Sequence, residues 1–356
     1  MSCERCTKTP ELNKLHNKMF VTAGTQELIM KVEGVLSSKD FQWERIQNGL
    51  EIRGGSFEGL VNILGKSPGF IDLAKRDIKI FPLNPEASLR DQLYQMKTLK
   101  EWESLYRATD IIEVLEENRL KSFFQPIVNP HKKEVHGYEA LIRGYDAVEK
   151  LIPPGKMFSM AKETDLLFNL DRQSRETHMR NGKKQRIKEK LFINFTPSAI
   201  YDPEFCLQST LGVMNEVGMA PEQIVFEVVE TEEIQDTKHL KNILSYYKKQ
   251  GFKIALDDIG SGYSSLNTLA SIFPDYIKVD LEIIRNIDQS PMKQSIFQSL
   301  KSIAKDHGIQ VIGEGVETKE ELEFLVSSGV DLVQGYYLGK PKEIAKVGFE
   351  VNKGGQ

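Results

Sequence analysis

Two adjacent carboxylates, Asp257 and Asp258, follow the apolar segment Lys253–Leu256. That segment is typical of a buried strand, and Gly260-Ser261-Gly262 beyond the acids indicates a flexible loop before a helix. One interpretation of the two acids is a helix N-cap and a solvated loop acid. The other is a divalent-metal site, because hard cations prefer carboxylate oxygens.

The same pattern recurs along the chain, which favours the metal interpretation. Other strand-like segments carry an acid, an amide or a lysine inside them or close to their ends. These residues are Glu139, Asn194, Glu227, Glu230, Lys278, Glu314, Glu317 and Gln334. Such groups are costly in apolar strands unless they are paired or bind a metal.

The elements that must position these residues form an alternating series. Eight strands are predicted: Phe123–Val128, Val135–Arg143, Leu191–Phe195, Ile224–Val229, Lys253–Leu256, Tyr276–Val279, Gln310–Gly313 and Asp331–Tyr336. Amphipathic helical segments separate most of them: 204–217, 238–250, 281–307 and 319–328. This alternation predicts an α/β fold, a (β/α)₈ barrel of the TIM type, in which the carboxyl ends of the strands meet at one mouth.

The first connection departs from that pattern. Only residues 129–134 separate the first two strands, whereas a parallel crossover needs about a dozen residues. We therefore expect the first two strands to pair antiparallel, which makes the barrel irregular at this point.

The residue types at the predicted mouth suit metal-assisted hydrolysis. Five residues offer oxygen ligands for Mg²⁺ or Mn²⁺, and no histidine among them favours zinc: Glu139, Asn194, Glu227, Asp257 and Asp258. Two hard cations about 3.5–4 Å apart suit in-line attack of hydroxide on phosphorus. Lys278 can orient the water, Glu314 can accept its proton, and Arg143 can neutralise a phosphate.

These residues stand in motifs that resemble the EAL-domain family. The motifs, in order, are Phe124-Gln125-Pro126-Ile127, Glu139-Ala140-Leu141, Asp257-Asp258-Ile259-Gly260-Ser261-Gly262-Tyr263-Ser264-Ser265, Ile277-Lys278-Val279-Asp280, Glu314-Gly315-Val316-Glu317-Thr318 and Gln334-Gly335-Tyr336. The resemblance covers residues 121–341. It implies a modified TIM barrel that hydrolyses cyclic-di-GMP to linear pGpG with two Mg²⁺ or Mn²⁺ ions.

The resemblance also implies a role for each matching residue. The five oxygen ligands named above would bind the two metals. Lys278 and Glu314 would handle the attacking water, with Gln334 supporting the site and Glu317 nearby. Gln125, Leu141 and Arg143 correspond to substrate-binding positions, and Glu230 to the acid that anchors the loop 260–265. In the family this loop gates the site and contributes to dimerisation, which implies a homodimer through the barrel.

Two departures from the family pattern keep a second function open. The family's Glu-x-Thr-Glu is Glu227-Val228-Val229-Glu230 here, so a hydroxyl is lost at Val229. The loop has Ile259 and Ser261 where Phe and Thr are commoner. The main hypothesis is an active phosphodiesterase. The alternatives are a receptor that binds cyclic-di-GMP without hydrolysing it and signals to a partner, and an enzyme for another cyclic or linear dinucleotide.

The N-terminal third carries no recognised motif. We expect a small α/β module with a regulatory role over residues 1–84, a connecting helical segment over 85–120 and the barrel over 121–350. Asn84-Pro85 is typical of a helix start. Cys3 and Cys6 form a C-x-x-C pair that fits incidental thiols, half of a metal site or a redox pair.

Bulk composition limits the partners and the compartment. The 356 residues are 40% hydrophobic and 28% charged, with a net charge of −4 and three cysteines. No apolar run approaches the ~20 residues that span a bilayer, and Met1–Leu12 lacks the core of a signal peptide. These features predict a cytoplasmic protein that binds neither a nucleic-acid polymer nor a membrane.

Overall fold

The computed structural model describes residues 9, 12, 18–39, 41–83, 88–228, 237–260 and 266–345. The predictions for Cys3, Cys6, the helix start at Asn84-Pro85, Val229, Glu230 and the loop residues 261–265 lie outside this part of the chain. The described residues belong to two compact units. One contains residues 9–117 with 155–167, and the other contains residues 118–154 with the segment from 168 onward.

The N-terminal unit is built on an antiparallel sheet with the strand order β2-β3-β1-β4-β5. Its strands are β1 (Lys18–Thr22), β2 (Gln42–Ile46), β3 (Gly49–Arg53), β4 (Lys79–Pro82) and β5 (Lys97–Thr98). Its helices are α1 (Gln26–Ser37), α2 (Phe57–Lys66), α3 (Asp72–Asp77), α4 (Leu89–Tyr94), α5 (Leu99–Arg107), α6 (Thr109–Glu116) and α7 (Pro154–Lys162).

Apolar side chains on one face of this sheet form the core of the unit. Met19, Val21 and Ile52 alternate toward that face and are fully buried against Leu60 and Leu64 of α2. The connecting helical segment predicted over 85–120 is interrupted by β5. Thr98 of β5 instead caps α5 reciprocally with Glu101, which starts a new helix at this point.

The second unit is a closed eight-stranded barrel, as the sequence predicted. Its strands are β6 (Leu120–Asn129), β7 (Glu134–Tyr145), β9 (Lys190–Phe195), β10 (Ile224–Val228), β11 (Lys253–Ile259), β12 (Tyr276–Val279), β13 (Gln310–Gly313) and β14 (Leu332–Gln334), with the short β8 (Leu151–Ile152) beside β7. β6 pairs antiparallel with both β7 and β14, and the remaining barrel pairs are parallel. The prediction of an antiparallel first pair is confirmed.

Helices surround these strands. They are α8 (Leu167–Lys184), α9 (Pro203–Val217), α10 (Thr237–Lys249), α11 (Leu266–Ile272), α12 (Leu281–Ile284), α13 (Pro291–Asp306) and α14 (Lys319–Ser327). The single helix predicted over 281–307 is broken between α12 and α13, because Asn286 adopts a positive φ of 54° and Pro291 starts the second helix. No helix in the described ranges is long and apolar enough to cross a membrane.

The barrel interior is filled by one apolar layer. Seven strands each contribute one inward side chain that is at most 4% exposed: Ile127, Phe192, Val225, Ala255, Tyr276, Ile312 and Leu332. Because side chains alternate along a strand, the residue two positions further on also points inward. This layer is therefore the floor on which the next inward residues lie.

A buried histidine in the barrel predicts a pH-dependent stability. Burial, with Arg143 nearby, lowers the pKa of His178 to about 3, and its Nδ1 lies 2.8 Å from Ser122 Oγ. Unfolding restores a pKa of about 6.5, so the unfolded chain binds one more proton below that pH. We expect the contribution of His178 to the free energy of unfolding to fall by up to about 1.4 kcal/mol per pH unit as the pH drops below about 6.5.

Urea unfolding followed by circular dichroism between pH 7.5 and 5.0 tests this expectation. His178→Gln removes the titrating group and can still hydrogen-bond Ser122, so its pH slope is expected to be shallower than that of the wild type. His307→Gln, at an exposed position, is the control and should keep the wild-type slope. An unchanged slope in His178→Gln would contradict the assignment.

Candidate active site

The predicted site residues lie one step above the apolar floor, at the carboxyl ends of the strands. On six parallel strands, the residue two positions after the floor residue is polar. These residues are Asn194, Glu227, Asp257, Lys278, Glu314 and Gln334. Because side chains alternate along each strand, residues from separate sequence motifs lie in one polar layer at the mouth of the barrel.

A bulge brings Asp258 to the same side as Asp257. Consecutive residues of a regular strand face opposite sides. Here β11 continues to Ile259, beyond the predicted end at Leu256, and its register with β12 shifts between Leu256 and Ile259. Asp258 has a positive φ of 56°, a conformation that aspartate adopts more readily than bulky residues do. Carboxylate oxygens of Asp257, Asp258 and Glu314 consequently lie within 4.8 Å of one another.

Lys278 is the centre of the polar layer. Its side chain is 1% exposed, and its Nζ approaches four carboxylates, three of them on β7, β10 and β11 and one directly after β13. The Nζ–oxygen distances are 2.8 Å to Glu314, 2.9 Å to Glu227, 3.1 Å to Asp257 and 3.7 Å to Glu139. One ammonium group thus bridges four acids that are far apart in sequence.

Burial and neighbouring charges shift the pKa values of the clustered acids and of the lysine away from their ordinary values. Burial raises the pKa of Glu227 and of Glu314 well above the usual range, although Lys278 acts in the opposite direction. Burial, followed by Asp257 and Asp280, raises the pKa of Asp258 to about 6. For Lys278 burial alone would lower the pKa, but the surrounding carboxylates raise it well above its ordinary value.

The ligand set fits divalent cations. The five carboxylates of Glu139, Glu227, Asp257, Asp258 and Glu314 (−5) and one ammonium (+1) leave a formal charge of −4, which two divalent ions would balance. Within the described part of the chain, the buried Asn194 Oδ1 and Glu227 Oε2 have no hydrogen-bond partner. Buried oxygens in that state are costly unless a ligand satisfies them.

A chain of hydrogen bonds fixes Glu139. Asn194 Nδ2 donates to Glu139 Oε1 at 3.0 Å, and Gln334 Nε2 donates to Glu139 Oε2 at 2.6 Å. Gln334 Nε2 also lies 3.2 Å from Gln125 Oε1, and Gln125 Nε2 donates to Gly339 O at 3.2 Å. Gln125 and Gln334 are thus part of the polar layer and orient a central carboxylate.

The predicted substrate-binding residues Leu141 and Arg143 follow Glu139 on β7. They lie two and four positions further along the strand, so all three share one face. Arg143 packs its guanidinium over the ring of Phe123, 5.4 Å from the centroid. The structure therefore brings Glu139 into the polar layer and leaves Arg143 beyond it, toward the carboxyl end of the strand.

Glu317 lies on the rim of the site rather than in the polar layer. Both of its oxygens bind Arg285, with Nη2–Oε1 at 2.7 Å, and this pairing lowers the pKa of Glu317. The buried carboxylate of Glu321 supports the rim, because it accepts the backbone N–H groups of Asn286 and Glu317 at 2.9 and 2.8 Å.

A pocket of about 260 Å³ opens above these groups. Its lining includes Asp280, Arg285 and Tyr336, to which sequence reasoning assigned no role. Asp280 directly follows β12 and could have been found by the rule that placed the other acids at strand ends. Arg285 carried no signal in the sequence, because it lies in a helical pattern that the structure breaks.

Comparison with known proteins identifies the family. The model of the EAL domain matches residues 103–341, which include every residue of the polar layer. The chain belongs to the EAL domain family. The fold and the family predicted from the sequence are both confirmed.

The chain also resembles named relatives and solved structures. The chain is 30% identical over 223 residues to the probable cyclic di-GMP phosphodiesterase PdeG of Escherichia coli K12, covering 62% of this chain and 44% of the relative. It is 30% identical over 252 residues to the cyclic di-GMP phosphodiesterase PdeR of the same organism, covering 70% and 38%. The chain thus spans about two fifths of these relatives.

Among solved structures, the chain resembles a standalone versatile EAL protein from Vibrio cholerae O395 in its c-di-GMP-bound form. The two are 39% identical, with a TM-score of 0.59, and the match covers 64% of this chain and 95% of that one. EAL domains use divalent metal ions, which agrees with the chemistry of the acidic cluster described above.

Proposed function

We propose that this EAL protein hydrolyses cyclic-di-GMP to linear pGpG with two divalent cations, Mg²⁺ or Mn²⁺. The observation that carries the proposal is an acidic cluster in which four carboxylates surround Lys278 and Asp258 lies beside two of them, with a formal charge of −4. Homologues named cyclic di-GMP phosphodiesterases and the c-di-GMP-bound structural relative support the choice of substrate.

Five residues would hold the cations: Glu139, Asn194, Glu227, Asp257 and Asp258. When bound, two divalent ions supply charge stabilisation to a phosphodiester and lower the pKa of water. Asn194 and Glu227 support this assignment because each has a buried oxygen that lacks a hydrogen-bond donor among the described residues.

Lys278 and Glu314 would act on the attacking water. Their Nζ–Oε1 distance of 2.8 Å allows both groups to contact one water molecule. Lys278 would orient that water, and Glu314 would accept its proton. Gln334 would keep Glu139 in place, and Gln125, Leu141 and Arg143 would contact the substrate.

The remaining expectations concern the whole chain. We propose that the module 1–84 regulates the barrel 121–350 through the segment 85–120, and that the protein is a cytoplasmic homodimer formed through the barrel. Sedimentation with and without cyclic-di-GMP, together with turnover as a function of protein concentration, tests the dimer.

Turnover of cyclic-di-GMP by the full chain tests the proposed activity. We expect metal-dependent appearance of linear pGpG in Mg²⁺ or Mn²⁺ and none after chelation. A binding titration in Ca²⁺ separates substrate binding from hydrolysis. Tight binding without product under all metal conditions would contradict the proposed activity and support the receptor, for which Val229 in place of the family's threonine is the sequence argument.

A further inference from the structure

A buried ion pair lies on α8, outside the acidic cluster. Asp171 and Arg175 are 3% and 1% exposed and stand one helical turn apart. Arg175 Nη1 donates to Asp171 Oδ2, and Arg175 Nε donates to Thr210 Oγ1 of α9 at 3.3 Å. The arginine therefore restrains the orientation of the Asp171 carboxylate.

The second oxygen of Asp171 reaches the strand that carries Asn194. Asp171 Oδ1 accepts the backbone N–H of Thr196 at 2.8 Å. Thr196 follows the last residue of β9 and stands two positions after Asn194. A carboxylate of the helix layer therefore accepts a hydrogen bond from the backbone at the end of β9, two residues after the candidate metal ligand Asn194.

A buried ion pair is by itself weak evidence for a role in stability. Taking an ion pair out of water is costly, and apolar replacements of similar volume are often neutral or stabilising. The contact to Thr196 has a more specific consequence, because it restrains the backbone at the end of β9.

The position of Asn194, a candidate metal ligand, depends on the restraint of the backbone at the end of β9. Its amide is neutral, so no net charge draws its oxygen toward a cation. Its Nδ2 is already engaged by Glu139, and its Oδ1 lacks a partner within the described residues. A small rotation of the strand end would turn this oxygen away, and groups that orient ligands typically change metal affinity 10–100-fold when removed.

We propose that Asp171 and Arg175 form a positioning pair that holds Asn194 in its metal-binding orientation through the Thr196 amide. The inference deepens the proposed function, on which it rests. Neither residue touches a substrate or a cation. The pair acts only through the strand end.

Replacing both members of the pair tests the inference without leaving an unpaired buried charge. Asp171→Leu with Arg175→Met removes the acceptor, whereas Asp171→Asn with Arg175→Met keeps an acceptor for the Thr196 amide. Arg180→Met with Glu216→Leu is the matched control, because that exposed pair joins the same two helices with Nη2–Oε2 at 3.0 Å.

The readouts are Mn²⁺ binding by calorimetry without substrate, hydrogen exchange at the Thr196 amide and thermal unfolding. We expect the Leu/Met variant to bind Mn²⁺ about tenfold more weakly and to exchange the amide faster. The surface control should remain close to the wild type, and the Asn/Met variant, which keeps an acceptor but loses the arginine that orients it, should lose less affinity than the Leu/Met variant. Equal affinity in all folded variants, or losses that only follow the unfolding temperature, would overturn the inference.

Thr196→Pro removes the same hydrogen bond from the backbone side and leaves the ion pair intact. Phe195 is in a strand and can precede proline. Thr196 has a φ of −100°, about 20° beyond the range of proline, so the backbone must adjust slightly and folding is checked by thermal unfolding. We expect a similar loss of Mn²⁺ affinity in Thr196→Pro. Unchanged affinity in the folded Thr196→Pro variant would contradict the inference. This test holds even if the Leu/Met variant does not fold. If the wild type itself binds no Mn²⁺, the proposed function fails and the inference fails with it.

Discussion

Glu139→Gln is expected to lower the turnover of cyclic-di-GMP by about three orders of magnitude. Bound metal stabilises the charge of the transition state by several kcal/mol, and each factor of ten in rate corresponds to about 1.36 kcal/mol of the activation barrier. Glu139 accepts hydrogen bonds from two amide groups, those of Asn194 and Gln334. Glutamine keeps the volume but loses the charge. It also turns an N–H group toward one of these donors, which disrupts the ligand set.

The measurement is the steady-state rate of pGpG formation as a function of Mn²⁺ concentration, with folding checked by circular dichroism. Glu134→Gln is the matched control, because it makes the same substitution on the same strand at a side chain that is 60% exposed. The control should keep wild-type turnover. If Glu139→Gln retained most of the activity, Glu139 would not be a metal ligand.

Lys278→Met is expected to lower turnover about as much as Glu139→Gln does. It is also expected to change how far Mn²⁺ raises the unfolding temperature. The substitution removes the ammonium that lies within 3.7 Å of four carboxylates. Breaking a buried pair by removing one partner typically costs about 3–5 kcal/mol. Divalent cations that bind the acids left without the ammonium would offset part of this loss, so Mn²⁺ should raise the unfolding temperature more in the variant than in the wild type.

Thermal unfolding with and without Mn²⁺, beside the turnover assay, checks both expectations. Lys253→Met serves as the control, because Lys253 also pairs with an acid, Asp275, at 2.9 Å but is 41% exposed. Exposed pairs contribute little to stability, so this variant should behave like the wild type. Equal metal stabilisation of Lys278→Met and the wild type would show that the cations do not bind at the lysine-centred cluster.

The barrel and most of its polar layer followed from the sequence because they depend on local patterns. Apolar strands alternate with amphipathic segments, and this alternation predicts the fold class. The short connection 129–134 predicts antiparallel pairing for steric reasons. Within strands, the period of two places Lys278 above Tyr276 and Glu314 above Ile312.

Other features were decided by contacts between distant segments. The break after α12 moves Arg285 to the rim, where it binds Glu317. The register shift at Asp258 extends β11 by three residues beyond the predicted end. The interruption of the predicted helix at β5 depends on pairing with β4, which a helical periodicity does not reveal.

The sequence by itself therefore determined the family, the barrel and the set of acids, amides and lysine that point inward, because strand periodicity and motif order are local properties. Only the tertiary structure decided which of these groups meet. The four carboxylates around Lys278 come from three strands and from the residue that follows a fourth, and the Asp171–Thr196 contact joins a helix to a strand end. Such contacts depend on closure of the barrel and on packing between its helices and strands. Neither can be predicted from one stretch of sequence alone.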